Sequence, residues 1–196
     1  DSNFFEGIDL KWISKHPNKV DWRDICVNVR LNNKFIRKYK DWVDWKEICM
    51  HQKLNSKTLH DCQEYIHWEI VSMFQNLKPS FISEHSNCFS DELFEIYIPR
   101  FQHLNDEFIL NNINRLDMSI TLKYQCLSNA MIVSLIGYLT PLNIAILSQY
   151  QYISPNLICS LKHKLNWNAL FINKHCCIEH MKYCHIVECI HYINQI

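Results

Sequence analysis

The residues best equipped for chemistry crowd one end of the chain: His175, Cys176, Cys177, His180, Cys184, His185, Cys189 and His191. Imidazole and thiolate are the ligands zinc prefers. Cys176, His180 and Cys184 stand at i, i+4 and i+8, so a helix would carry them on one face. Their spacing matches no standard zinc module, however, and core packing accounts for two of them below. His85 lies near Cys88, but nothing in the pattern orients a nucleophile, a base and a third group together. Glycine occurs only at Gly7 and Gly137, which leaves no glycine-rich loop to cradle a phosphate. The expectation is therefore a non-enzymatic chain with no catalytic residues, no metal and no cofactor.

The elements that would have to position any such group are set by a repeat. Trp22, Trp45 and Trp68 stand 23 residues apart. Val20-Asp21-Trp22-Arg23-Asp24-Ile25-Cys26 and Val43-Asp44-Trp45-Lys46-Glu47-Ile48-Cys49 are near copies, and Ile66-His67-Trp68-Glu69-Ile70-Val71 is a looser third. A polar position follows Trp45 and Trp68 at seven residues; Leu or Ile follows each tryptophan at nine, and an apolar pair comes four to five residues later. Units without the tryptophan keep the rest, as in Leu104 with Phe108-Ile109, Leu127 with Met131-Ile132, and Ile153 with Leu157-Ile158. Their first-helix anchors fall near Phe94, at Met118 and at Ile144, and Trp167 restores the tryptophan. Trp12-Ile13 fits a truncated leading unit. In this register Cys176 takes a Leu slot and His180 the slot of Phe35, so both read as core residues.

Each unit reads as two short helices. Asp44 and Glu47 suit a reciprocal capping box, with Val43 and Ile48 as its hydrophobic staple, and Asp21 and Asp24 repeat the pattern. Asn32, Asn55, Asn105, Ser128 and Ser154 stand where caps of the second helices belong. Pro79 and Pro155 fall at first helical positions, where a missing N–H costs nothing. Helices of roughly 7 to 11 residues do not persist alone in water. The fold expected is therefore all-α, an α-solenoid-like array of about seven 23-residue helical hairpins, with 14 or 15 helices. Ile186 to Ile196 places Ile186, Cys189, Ile190 and Ile193 on one face, as a closing helix would. Trp12, Trp22, Trp45, Trp68 and Trp167 are the expected structural anchors, each burying a large aromatic surface where units meet.

No Gly/Ser-rich or Pro-rich linker interrupts the register, so residues 1–196 are expected to form a single helical repeat domain. Formal charge is zero but unevenly spread. Lys11 to Lys57 carries twelve basic and five acidic residues, whereas Thr58 to Asp117 carries three and ten. Solvated helix faces account for this, and a steering surface for a charged partner is the sharper reading. The basic helix bearing Arg37, Lys38 and Lys40 is the candidate partner-binding element. Nucleic acid is not the expected partner, because the basic stretch is mostly lysine and is balanced by acid elsewhere. Residues 119–161 hold one charged residue, Lys123. That stretch is too broken for a membrane span and offers a patch for self-association or a protein partner, with membrane contact a minor expectation.

Ten cysteines are many for 196 residues. Cys26 and Cys49 share a slot one repeat apart and so serve first as small core residues. An even total also suits a disulfide framework in an oxidising compartment, though pairing cannot be deduced. The opening at Asp1 without Met suits a mature secreted chain as well as a trimmed one. Secretion is the expectation, with host cytoplasm the alternative.

The run Val43-Asp44-Trp45-Lys46-Glu47-Ile48-Cys49, with Gln52, Leu54 and the Leu59 slot after it, resembles the tryptophan-repeat proteins of entomopoxviruses and related insect DNA viruses. An abundance of Ile, Asn, Lys, Phe and Tyr, which have AT-rich codons, agrees with such a source. The resemblance implies a virulence or host-interaction factor rather than a chemistry. The cysteine-rich form is also similar to the parasitoid killing factors of such viruses, which implies a secreted cytotoxic factor as the alternative. The function expected is non-enzymatic binding of a macromolecular partner.

Overall fold

The computed structural model describes residues 10–175. Fourteen α-helices and a few shorter helical turns account for its regular structure, with no strand among the described residues. The chain divides into two compact units, Asp1–Leu93 and Phe94–Ile196. The closing segment Ile186 to Ile196 and the cysteines from Cys176 onward lie outside the described residues, as does His180; His175 is the last residue described.

In the first unit α1 is Leu10–Lys15, α2 Trp22–Asn28, α3 Asn33–Lys38, α4 Trp45–His51, α5 Ser56–Asp61, α6 Trp68–Phe74 and α7 Pro79–Glu84. Helices of like rank pack together: α2 on α4, α4 on α6, and α3 on α5. In the second unit a π-helical turn, Leu93–Tyr97, runs into α8 (Ile98–Phe101). There follow α9 (Asp106–Asn111), α10 (Met118–Tyr124), α11 (Asn129–Leu135), α12 (Pro141–Tyr150), α13 (Pro155–Ser160) and α14 (Trp167–Phe171). Here too α8, α10, α12 and α14 pack in succession. The repeat is thus an all-helical array of hairpins within each unit.

Local chemistry sets the helix starts. Asp21, Asp44 and Asp117 accept hydrogen bonds from two backbone N–H groups each at the heads of α2, α4 and α10. Asn32, Asn55, Asn105 and Ser128 cap α3, α5, α9 and α11. Pro79 and Pro155 open α7 and α13 as expected from their fixed φ and missing N–H. Two details differ from the sequence reading. Ser154 precedes α13 without a side-chain capping bond. The Asp44–Glu47 box is only half made, because Glu47 turns to the preceding repeat, where Arg23 Nε donates to its carboxylate at 3.1 Å. Its other oxygen lies 3.4 Å from His51 Nε2. Arg23 Nη2 lies 3.1 Å from the same oxygen as its Nε, so charge-assisted contacts take the place of the single backbone N–H.

The spacing irregularities also have a structural form. The three residues added before Ile144 become an extra first turn: α12 begins at Pro141 behind the Thr140 cap. Near Phe94 helix begins early, at Asp91, and passes through the π-helical turn, which together take up the added length. Phe94 itself is 1% exposed.

Each unit has its own core of aliphatic side chains, one set per repeat. Ile13, Ile36, Ile48 and Ile82 are fully buried in the first unit, and Ile98, Ile109, Leu122, Ile132 and Leu147 in the second. They occupy the staple and anchor slots, so hydrophobic burial follows the repeat directly.

Candidate binding surfaces

What joins one hairpin to the next is a buried side-chain amide. Gln52 Nε2 donates to the carbonyls of Cys26 at 2.7 Å and Val29 at 2.9 Å. Its Oε1 accepts the Leu31 N–H at 2.9 Å. Gln75 makes the same three bonds one repeat later, to Cys49, Gln52 and Leu54. In the second unit Gln125 bonds Pro99, Gln102 and Leu104, and Gln151 bonds Leu122, Gln125 and Leu127. Each amide thereby closes the C-terminal end of the preceding first helix, whose last carbonyls have no partner within the helix. Asn173 ends the described series: its Nδ2 reaches the Ser148 and Gln151 carbonyls at 2.8 Å, while its shorter side chain turns its oxygen to the His175 N–H.

The polar position seven residues after Trp45 and Trp68 was the only sequence trace of this ladder. In the first repeat Val29 occupies the slot. A second row links the heads of the second helices: Asn33 Oδ1 accepts from the Asn55 N–H at 3.0 Å, and Asn129 Oδ1 from the Ser154 N–H at 3.4 Å.

The tryptophans are placed at the first residue of α2, α4, α6 and α14. Trp22, Trp45 and Trp167 each donate an indole N–H to the carbonyl five residues back, at 2.7 to 3.0 Å. Trp45 is 7% exposed and stacks on Tyr65 at 5.5 Å. Trp22 is half-buried against Tyr39 and Trp42, and Trp68 against Phe81 and Phe89. Trp12 departs from the anchor role. It is 47% exposed and leans on His16, while its neighbour Ile13 is the buried residue. The six-residue α1 turns one narrow face inward, and that face carries Ile13.

The three candidate binding residues have different fates. Arg37 faces the next repeat, donating to Thr58 Oγ1 at 2.6 Å with Asp61 at 3.6 Å. Lys40 lies over the Tyr65 ring at 5.3 Å, and Lys38, exposed, over the Tyr39 ring at 4.9 Å.

The six described cysteines are free thiols, which corrects the expectation of a disulfide framework for these six. Cys26 and Cys49 sit fully buried one repeat apart, and desolvation pushes both thiols up to about 11. A buried thiol so shifted is a poor nucleophile near neutral pH. Cys88 is also raised by burial. His85 cannot serve it as a base, because both its ring nitrogens are engaged. Nε2 lies 3.0 Å from His60 Nδ1, and Nδ1 lies 3.1 Å from the Phe81 carbonyl. Among the described residues no group of three or more His, Cys, Asp or Glu side chains is arranged to hold a metal ion.

One feature faces outward with the period of the repeat. In the second unit the last residues of α8, α10 and α12 are Phe101, Tyr124 and Tyr150. Each stands directly before a buried glutamine, Gln102, Gln125 or Gln151, whose inward turn sends the ring the other way. Phe101 is 43% and Tyr124 44% exposed. Cations alternate with the rings. Arg100 lies 5.2 Å from the Phe101 centroid and 5.5 Å from that of Tyr124, and Lys123 lies 5.4 Å from both Tyr124 and Tyr150. Cations at helix C-termini also complement the helix dipole. In the weakly charged stretch Val133, Tyr138, Leu142 and Tyr152 are each more than half exposed. No helix among the described residues is long and apolar enough to cross a membrane.

No family model, no curated protein and no solved structure matches the chain.

Proposed function

We propose that this chain is a non-enzymatic helical-repeat protein that binds a protein partner, in the service of a virus meeting its host. The observation that carries the binding reading is the row Phe101–Arg100–Tyr124–Lys123–Tyr150, exposed at all but the half-buried Tyr150. Aromatic and arginine side chains are enriched where proteins meet, because they bury much area at a low cost in side-chain entropy. The framework residues beneath the row spend their hydrogen bonds on one another, which leaves the outward slots free to vary. Repeat arrays present such slots as extended surfaces. The viral setting rests on the resemblance of the tryptophan motif.

The test is cross-linked capture from insect-cell extract by the full chain, set beside a variant carrying Tyr124→Ala and Lys123→Glu. Both positions lie on the row, and Tyr124 is substantially exposed, so thermal midpoints should agree closely. The expected result is a discrete protein captured by the parent and lost by the variant. Identical capture by both would refute the surface assignment. Dye leakage from vesicles or death of exposed cells, without a captured protein, would favour a secreted cytotoxic factor instead.

A further inference from the structure

We infer that the aromatic row of the second unit receives an acidic, proline-rich segment in the polyproline II conformation; this rests on the binding reading above and names the chemistry of the partner. The row steps with the helices that carry it. Helix α8 packs on α10 and α10 on α12, and packed helices stand about 8–10 Å apart. Arg100 lies within 5.5 Å of both the Phe101 and Tyr124 centroids, and Lys123 lies 5.4 Å from both Tyr124 and Tyr150. Two such distances laid end to end limit the step from ring to ring to about 11 Å.

A ligand that meets one ring per step must show the same face at that interval. A β-strand returns to one face after two residues, about 7 Å, which falls short. Polyproline II returns after three residues, about 9.3 Å. An α-helix returns after seven, about 10.5 Å. Hydrogen-bonding chemistry decides between the last two. The row offers the Arg100 guanidinium, the Lys123 ammonium and the phenols of Tyr124 and Tyr150 as donors. Helices α8, α10 and α12 contain no acidic residue, and among the described residues no ion pair engages Arg100 or Lys123. An α-helix has already spent its carbonyls on its own N–H groups. A polyproline II segment makes no internal hydrogen bonds, so its carbonyls stay free to accept. Its prolines also bring no N–H that would ask for an acceptor. Prolines at every third residue thus meet the aromatic rings, while carbonyls and acidic side chains between them meet Arg100 and Lys123. The preset conformation of such a segment keeps the cost of ordering it low.

Fluorescence anisotropy with the full chain tests the inference. The probe is a labelled peptide of four Pro-Glu-Pro repeats. The controls are four repeats of Pro-Lys-Pro, four of Gly-Glu-Ser, and an alanine-based helical peptide with four glutamates. The probe should bind, and each control should bind about tenfold more weakly or not at all. Tyr124→Ala should weaken the probe by a similar factor, as should R100Q/K123Q, each with an unchanged circular-dichroism melt. The two variants alter different groups, all of them exposed, so a disturbed fold in one leaves the other to decide. Tyr138→Ala should bind as the parent does, because Tyr138, 86% exposed, precedes α12 whereas Tyr150 ends it. Equal binding of the glycine–serine or the helical control would overturn the inference. So would undiminished binding by both row variants. No binding of the probe, with capture from extract still dependent on Tyr124, would overturn this ligand class and leave the surface itself standing.

Discussion

The side-chain oxygen of Gln52 accepts the backbone N–H of Leu31, 21 residues earlier, at 2.9 Å. With the two carbonyls its amide nitrogen satisfies, this bond joins the end of α2 to the end of α4. Gln52 is 5% exposed, so water cannot readily replace it. Substitution by leucine would keep the volume and orphan three backbone groups. Each buried orphan costs about 1–3 kcal/mol; partial relaxation brings the expected loss to roughly 3–5 kcal/mol. A urea titration of Gln52→Leu measures it. The neighbouring exposed change Lys53→Leu should stay within about 0.5 kcal/mol of the parent. A Gln52→Leu protein as stable as that control would deny the ladder its role.

Trp45 and Trp12 should separate under the same measurement. Trp45→Ala removes a buried ring, its stacking on Tyr65 and its bond to the Lys40 carbonyl. The expected cost is about 3–5 kcal/mol. Trp12→Ala trims a ring that is 47% exposed and should cost under about 1 kcal/mol. Equal losses at the two sites would contradict the burial described.

Arg37→Ala should act on stability rather than on binding. It removes the donor to Thr58 Oγ1, a residue with no exposed surface, and the nearby charge at Asp61. A loss of about 1–2 kcal/mol is expected in a urea titration. An unchanged midpoint would deny Arg37 this role between the repeats.

The thiols should divide by burial. Peptide mapping after brief iodoacetamide treatment should find Cys126 and Cys159 modified, since both are exposed, and Cys26 and Cys49 protected until the chain unfolds. Their raised values also fix a sign in alkali. In the unfolded chain these thiols ionise near 9, and in the native chain near 11. Between those values the native state binds more protons, so its stability falls as pH rises through that window. The decline should be shallower in Cys49→Ala than in the parent. Denaturant midpoints at pH 8, 9, 10 and 11 give the slopes, and parallel slopes would count against the burial effect.

What the sequence determined by itself is the module. The capping asparagines, the Pro79 and Pro155 starts and the staple pairs are local signals, decided by residues within a turn or two of each other, and the tryptophan period repeats them along the chain. They specify helix starts and inward faces before any tertiary contact forms. Helices this short then had to stack, because none is stable alone. What only the tertiary structure decided is where the polar atoms go. Gln52 and Gln75 read as ordinary polar residues because their partners are backbone groups of another repeat, which carry no sequence signature. Glu47 left its capping box for Arg23 for a similar reason: the fork that captures it arrives from the preceding hairpin. Phe101, Tyr124 and Tyr150 would pass for core aromatics by type. Phe101 and Tyr124 face solvent because each precedes a buried glutamine, and a helix cannot turn consecutive side chains to the same side.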